Sequence, residues 1–379
     1  VALGVPFVTV LAMIVEDLKE FHATRARNLP EYNAGNPAGY GAWRPFQNYG
    51  APFYGGVGSG INPPLSREEF RSHFMFGSEK IAEVIACLRL PRDPNRVGLP
   101  DFAYRWDFFG NPTRWVTQET AVLMFLKRLR TRGSVVIQLQ SFFGRSCGYI
   151  SEVFNAVLTF LAAFWIPRKI QRLDTRVFHR WRLRDYADSL WRNGFIVPDV
   201  VGFVDGTFHS IYRPGRDGYN GILQQIFFSG AKKGHGIVFE MITFPDGMIG
   251  RAFGPVAGRH HDQFLAVCSR LRQLLTTGGL RGFRLFGDKA YVGFGAKIIR
   301  PFLNAPQGSV RARWNEYTLS FRIEVEHDIG SIYMQSASLQ NDMRLETQVP
   351  EDWFQAAVLM HNIHTCIYHS NQTAVRFQC

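Results

Sequence analysis

Two short apolar runs constrain the fold of this chain more than any other feature. Val200-Val-Gly-Phe-Val204 is a nearly continuous apolar run and stops at Asp205-Gly206-Thr207. Phe283-Arg-Leu-Phe-Gly287 stops in the same way at Asp288, followed by Lys289-Ala290-Tyr291. A run this short and apolar, bounded by turn residues, reads as a buried strand. An Asp at the end of such a strand is held by rigid backbone and projects where a substrate can reach it. Residues 222–230 and 236–244 read as further strands, and Pro245-Asp246-Gly247 as the turn of a hairpin. Helical pattern returns over 318–332 and 352–368, so the region from about 191 onward is α/β.

The chain before residue 190 reads as all-α. Ser66 with Glu68 and Glu69 behind it, and Thr117 with Glu119, are helix-start signals. A short helix over 134–144 ends on Gly144, and Ser146 opens another over 147–164, with Ile150, Val153, Phe154, Val157 and Leu158 on one face. Two helices split by a three- or four-residue turn containing Gly form the helix-turn-helix pattern, which helical hairpins share. Residues 165–185 then carry seven Lys/Arg against two Asp. Arg168, Lys169, Arg172, Arg176 and Arg180 are the candidates for phosphate contact; a solvated face is the alternative. Ahead of this lies 31–64, with eight Gly, five Pro and seven aromatics, which reads as a linker. The apolar stretch 1–15, interrupted by Pro6, is too short to span a bilayer comfortably and reads as a buried segment.

The charge balance agrees with a polyanionic partner: 43 Lys+Arg against 31 Asp+Glu leave +12. With 46% hydrophobic residues, a wholly disordered chain is excluded. The five cysteines have no CxxC spacing, which argues against a zinc site or a disulfide framework and for a reducing intracellular setting.

A third carboxylate is needed if Asp205 and Asp288 are to hold two hard cations. Glu324 and Glu326, in Phe321-Arg-Ile-Glu-Val-Glu-His-Asp-Ile-Gly330, are the candidates. On a helix, Arg322, Glu326 and Gly330 share one face and Glu324 lies nearly opposite, so one of the two acids enters the site. Gathered carboxylates repel and raise one another's pKa. Divalent cations remove that penalty, and oxygen donors suit Mg²⁺ or Mn²⁺. The alternative is structural: Asp205 as a turn former, Asp288 as a helix cap, Glu326 paired with Arg322.

Five blocks in sequence order resemble PIF/Harbinger-type DDE transposases. They are Gly194-Phe-x3-Asp199-Val-Val-Gly-Phe-Val-Asp205-Gly-Thr, with His209 one place later than usual; Gly258-Arg-His-His261-Asp262; Phe286-Gly-Asp288-Lys-Ala-Tyr291; Asn315-x3-Leu319-Ser-x-Arg322-x3-Glu326-x3-Gly330; and Ala356-Ala-Val-Leu-Met-His361-Asn362. His327 stands where a basic or amide residue is usual, and Asp328 adds an acid beside the third block.

The resemblance implies an RNase H-like α/β catalytic domain, a mixed five-stranded sheet flanked by helices, over 191–379. It is preceded by a helix-turn-helix region over 65–190 and the N-terminal segment and linker over 1–64. It also implies Asp205, Asp288 and Glu326 as catalytic metal ligands for two Mg²⁺ or Mn²⁺ ions, with His261, Asp262 and Arg322 as accessory candidates. The activity implied is cutting and joining of phosphodiester bonds at transposon ends and in target DNA. A Myb-like DNA-binding partner, homo-oligomerisation, no membrane, and the nucleus (the cytoplasm without the partner) follow from the same likeness. The alternative is a domesticated, inactive relative that binds DNA or protein. From the residues themselves, Asp262 reads as the N-cap of a helix over 263–275, and His361-Asn362 as a satisfied core pair.

Overall fold

Helices begin where the capping residues place them. The computed structural model describes residues 65–379 except 133–134, 216–219, 346–347, 370–371 and 378–379. The apolar segment and linker over 1–64 lie outside the described residues. Ser66 opens α1 (Arg67–Phe74) through a capping box: its hydroxyl accepts from the Glu69 N–H at 3.2 Å, and the Glu69 carboxylate accepts from the Ser66 N–H at 2.8 Å. Helix α2 (Ile81–Leu88) follows.

Strands β1 (Phe102–Trp106) and β2 (Pro112–Val116) then form an antiparallel hairpin. The region is therefore not all-α. Phe102 and Tyr104 alternate into the core, and Asp107 and Gly110 form a turn, a period-2 signal spread over too few residues to stand out from its helical surroundings.

Helix α3 (Gln118–Arg130) is capped by Thr117. Helix α4 (Val135–Phe143) ends at Gly144, whose φ of +58° is one that glycine adopts without strain. Ser146 caps α5 (Cys147–Phe164). By length and hydropathy α5 could cross a membrane, but its apolar face packs on α3, β1 and the helices below. The basic segment is divided between α6 (Ile166–Lys169) and α7 (Arg180–Arg192).

The sheet uses β3 (Val200–Ser210), β4 (Phe228–Ser229), β5 (Gly234–Thr243), β6 (Ile249–Ala257), β7 (Arg284–Gly287) and β8 (Ile298–Ile299). Its order is β4-β5-β3-β7-β8, with β6 also beside β5. β3, β5 and β6 are antiparallel, whereas β7 and β8 join parallel, so the sheet is mixed. It has six strands rather than five, the extra one being the two-residue β4. Residues 222–230 are not a strand: α8 (Asn220–Phe227) occupies most of that span, because Ile222, Leu223, Ile226 and Phe227 recur at helical spacing.

Helices α9 (Asp262–Cys268), α10 (Leu271–Thr276), α11 (Val310–Gln335), α12 (Pro350–Tyr368) and α13 (Gln372–Phe377) complete the chain. Both faces of the first half of β3 are covered, which is why Val200–Val204 is nearly continuously apolar. Val201 and Val204 pack with Leu183 and Tyr186 of α7, Ala266 of α9, and Leu271 and Leu275 of α10. Val200 and Phe203 pack with Phe321 of α11 and Phe377 of α13.

Helix α12 clamps the β5–β6 hairpin. Asn362 accepts from the Ile249 N–H and donates to its carbonyl, both at 2.8 Å. The two ring nitrogens of His361 lie 3.0 Å from the Gly247 carbonyl and from Gln335 Oε1. The pair is thus a satisfied core element, as expected. Buried His361 is shifted toward the neutral form by desolvation.

Candidate active site

Strand register brings the first two acids together. β3 and β7 run parallel, and the last paired residues are Val204 and Gly287. The next residue on each chain is Asp205 and Asp288. The strand does not end at Asp205: its antiparallel partner β5 carries it on to Ser210. What ends there is the parallel pairing, because β7 stops at Gly287, and this opens the space beside Asp205. Asp205 Oδ1 accepts from the Gly206 N–H at 2.9 Å. Asp288 Oδ1 accepts from the Ala290 N–H at 2.7 Å, which ties its carboxylate to the turn after β7.

A further acid enters from a segment that the sequence placed differently. Asp262 is the first residue of α9, and His261, not Asp262, is its N-cap. The helix ends at Cys268, where Arg270 adopts φ +55°, before α10 begins. Released from capping, the Asp262 carboxylate lies against Gly206, where an added Cβ would come within 2.2 Å of Oδ1. Gly206 is therefore needed for the close approach of Asp262, on the face of β3 that Val204 shares.

Two groups beneath this pair were not foreseen. Glu240 lies directly across from Gly206 on β5 and is fully buried. Neither of its oxygens has a hydrogen bond, and the nearest cation is Arg251, at 3.9 Å. Burial raises its pKa to about 7, with Asp262 adding to the rise and Arg251 opposing it. A single acid in the apolar run Ile237-Val-Phe-Glu-Met-Ile242 was the available signal. Tyr291 is also fully buried, and its hydroxyl has no hydrogen-bond partner. Its pKa is pushed well up by burial, then by the charges of Glu240, Asp262, Asp205 and Asp288. Tyr291 belongs to the core layer of Val204, Ala266 and Leu285, beside the turn that follows β7.

Glu326 is exposed on α11, a helix that packs on β3. The side chains of Arg322 and Glu324 lie outside the described residues. Asp328 does not join the cluster; it is buried and accepts from the Thr373 hydroxyl at 2.7 Å. Among the described residues, no three His, Cys, Asp or Glu side chains are gathered closely enough to hold a metal ion. The carboxylates of Asp205, Asp288 and Glu326 are oxygen donors of the kind that a hard divalent cation takes. His261 is exposed, one place from His260, which stacks on Phe264 at 3.9 Å. His209 is buried without a hydrogen-bond partner, and burial lowers its pKa to about 4.

The cations lie on other surfaces. Lys169 is paired with Asp174, and Arg176 reaches the same carboxylate at 3.4 Å. Arg180 donates to the Arg281 carbonyl at 2.9 Å. Arg168 lies over the Phe164 ring at 4.5 Å, and Arg172 is exposed. Helices α4 and α5 flank a three-residue turn, as helical hairpins in general do, and α5 carries no Lys or Arg.

Residues 204–362 match the family model of the DDE superfamily endonucleases. The matched segment begins one residue before Asp205, contains Asp262, Asp288 and Glu326, and ends on Asn362. That family implies an RNase H-like fold, a DNA substrate and transposase-type nuclease chemistry. No curated protein and no solved structure matches the chain.

Proposed function

We propose that this chain is a divalent-metal-dependent DNA nuclease of the transposase type, with Asp205, Asp288 and Glu326 as its metal ligands. The observation that carries the reading is the register of β3 and β7, which sets Asp205 and Asp288 side by side at the point where parallel pairing stops. Mg²⁺ or Mn²⁺ would be held by these carboxylates, supplying charge neutralisation at the phosphodiester and an activated attacking oxygen. The protein's own part is placement. The strands fix two carboxylates, Gly206 admits Asp262, and Glu326, exposed on α11, would have to turn toward them to complete the set.

The five sequence blocks support the PIF/Harbinger subtype. With it come a Myb-like partner for recognition of transposon ends, a nuclear site of action and self-association. The basic charge supports DNA as the polyanion, and Arg168, Lys169, Arg172, Arg176 and Arg180 are proposed to meet its phosphates. A second reading is a domesticated relative that binds DNA without cutting it; the exposed Glu326, on a face with no closely gathered triad, favours it.

The test is strand cleavage of end-sequence DNA in Mn²⁺ together with Mn²⁺ binding by calorimetry, for the wild type and Asp288→Asn. Metal binding and cleavage that are both lost in the variant support the nuclease. A wild type that neither binds Mn²⁺ nor cuts, with a candidate partner present, leaves the second reading.

A further inference from the structure

We propose that the tip of the β1–β2 hairpin, Phe108 and Phe109, is a wedge that inserts into the base stack of bound DNA. The inference rests on the reading of the chain as a DNA-acting protein. Phe108 is 96% exposed and Phe109 84%, in a fold that fully buries phenylalanines such as Phe70, Phe125, Phe203 and Phe286.

The tip is a built structure. Asp107 Oδ1 accepts from the N–H groups of Phe109 at 2.9 Å and Asn111 at 2.8 Å, and Oδ2 accepts from the Asn111 amide at 3.1 Å. The main chain closes the same turn: the Asp107 N–H donates to the Asn111 carbonyl at 2.9 Å and the Gly110 N–H to the Asp107 carbonyl at 3.1 Å. Gly110 supplies the φ of +83° that the turn requires. The two rings stand edge to face, with centroids 5.6 Å apart. Two apolar rings are thus held out in water by a rigid polar turn, at a cost that the fold alone does not repay.

The surroundings select the partner. Arg105 and Arg114 are register partners on the two strands, just behind the tip. Arg145, from the turn between α4 and α5, stands over Tyr149, whose ring packs on Tyr104 of β1. One of these cations is shared with an acid, since Arg105 lies 3.7 Å from Glu152. An apolar tip of two rings backed by arginines on both strands matches what a base step offers: a π surface between two phosphates. The chain's charge of +12 favours the nucleic acid.

The test uses a short duplex carrying 2-aminopurine beside a central mismatch, at low salt. Wild-type binding should raise the 2-aminopurine fluorescence as the base is unstacked. The F108A/F109A double variant should lose that rise and bind about tenfold more weakly, with an unchanged melting temperature because both side chains are exposed. The R105A/R114A variant should bind more weakly and with a shallower salt dependence, yet keep the rise in each complex formed. A double variant that binds and brightens like the wild type overturns the wedge. So does sedimentation showing that the substitutions instead dissociate a dimer of this chain. A wild type that retains no DNA overturns the DNA-acting reading, and the wedge with it; binding without a fluorescence rise overturns the wedge alone.

Discussion

Charge is deployed in opposite ways in the sheet and in the helical layer that precedes it. In the sheet, strand register sets Asp205 beside Asp288 in sequence position and Glu240 across from Gly206, and one glycine admits Asp262. Over 165–185 the cations spread along two short helices and a loop, several of them held by Asp174 or by a carbonyl. Gathering like charges is costly and needs rigid backbone on every side. Covering a surface with cations needs none, because phosphate attraction acts through solvent and tolerates motion. Precision is therefore asked of the carboxylates on the strands, whereas the proposed contact with phosphates asks only for exposed cations.

The sharpest way to break this contrast is Asp288→Asn. Asn keeps the shape but not the charge, so cleavage in Mn²⁺ should fall about a thousandfold or more. Retention of DNA on a gel should stay near the wild-type level. Parallel losses of cleavage and retention would mean that the two regions are not separable.

Gly206→Ala probes placement without removing a charge. The new Cβ meets Asp262 Oδ1 at 2.2 Å, so that carboxylate must move. A displacement on that scale should lower cleavage by about a hundredfold, again with retention unchanged. Equal cleavage rates for the variant and the wild type would remove Asp262 from the site.

Glu240→Gln sharpens the account of the buried carboxyl on β5. The pKa of Glu240 is raised from an ordinary 4.5 to about 7, chiefly by burial. The folded protein therefore holds this proton more tightly than the unfolded chain does. Stability is fully present below about pH 4.5 and is lost as pH rises toward 7, by about 3 kcal/mol in all. Without divalent metal, Glu240→Gln should match the wild type at pH 4.5 and melt several degrees higher at pH 8. A gap of the same size at both values would show that Arg251 keeps Glu240 charged throughout.

The smallest expected effect belongs to the spread cations. Replacing Arg172, Arg176 and Arg180 together with Ala should weaken DNA binding about tenfold at moderate salt, for all sequences alike. It should also flatten the salt dependence, because fewer counterions are released. An identical slope would assign these residues to a merely solvated face.

Much of the fold was legible. Ser66, Thr117 and Ser146 signalled helix starts through the N–H groups that they accept, and Pro245-Asp246-Gly247 signalled the hairpin turn; both depend on neighbours within four residues. The β1–β2 hairpin was not legible, since its alternation spans only Phe102 and Tyr104 before the turn. Nor was α8, where Ile222 and Leu223 satisfy a strand reading until the spacing to Ile226 and Phe227 is weighed.

The sequence by itself determined the apolar strands, the acids that follow them, the caps and the basic balance, because each is local or compositional. Only the tertiary structure decided which acids meet. Asp205 and Asp288 are 83 residues apart and become neighbours through the parallel register of β3 and β7. Asp262 reaches Gly206, and Glu240 faces it, through pairings no local pattern encodes. The physical reason is that register is set by burial of both sheet faces at once, a condition satisfied only when α7, α9, α10, α11 and α13 are all in place.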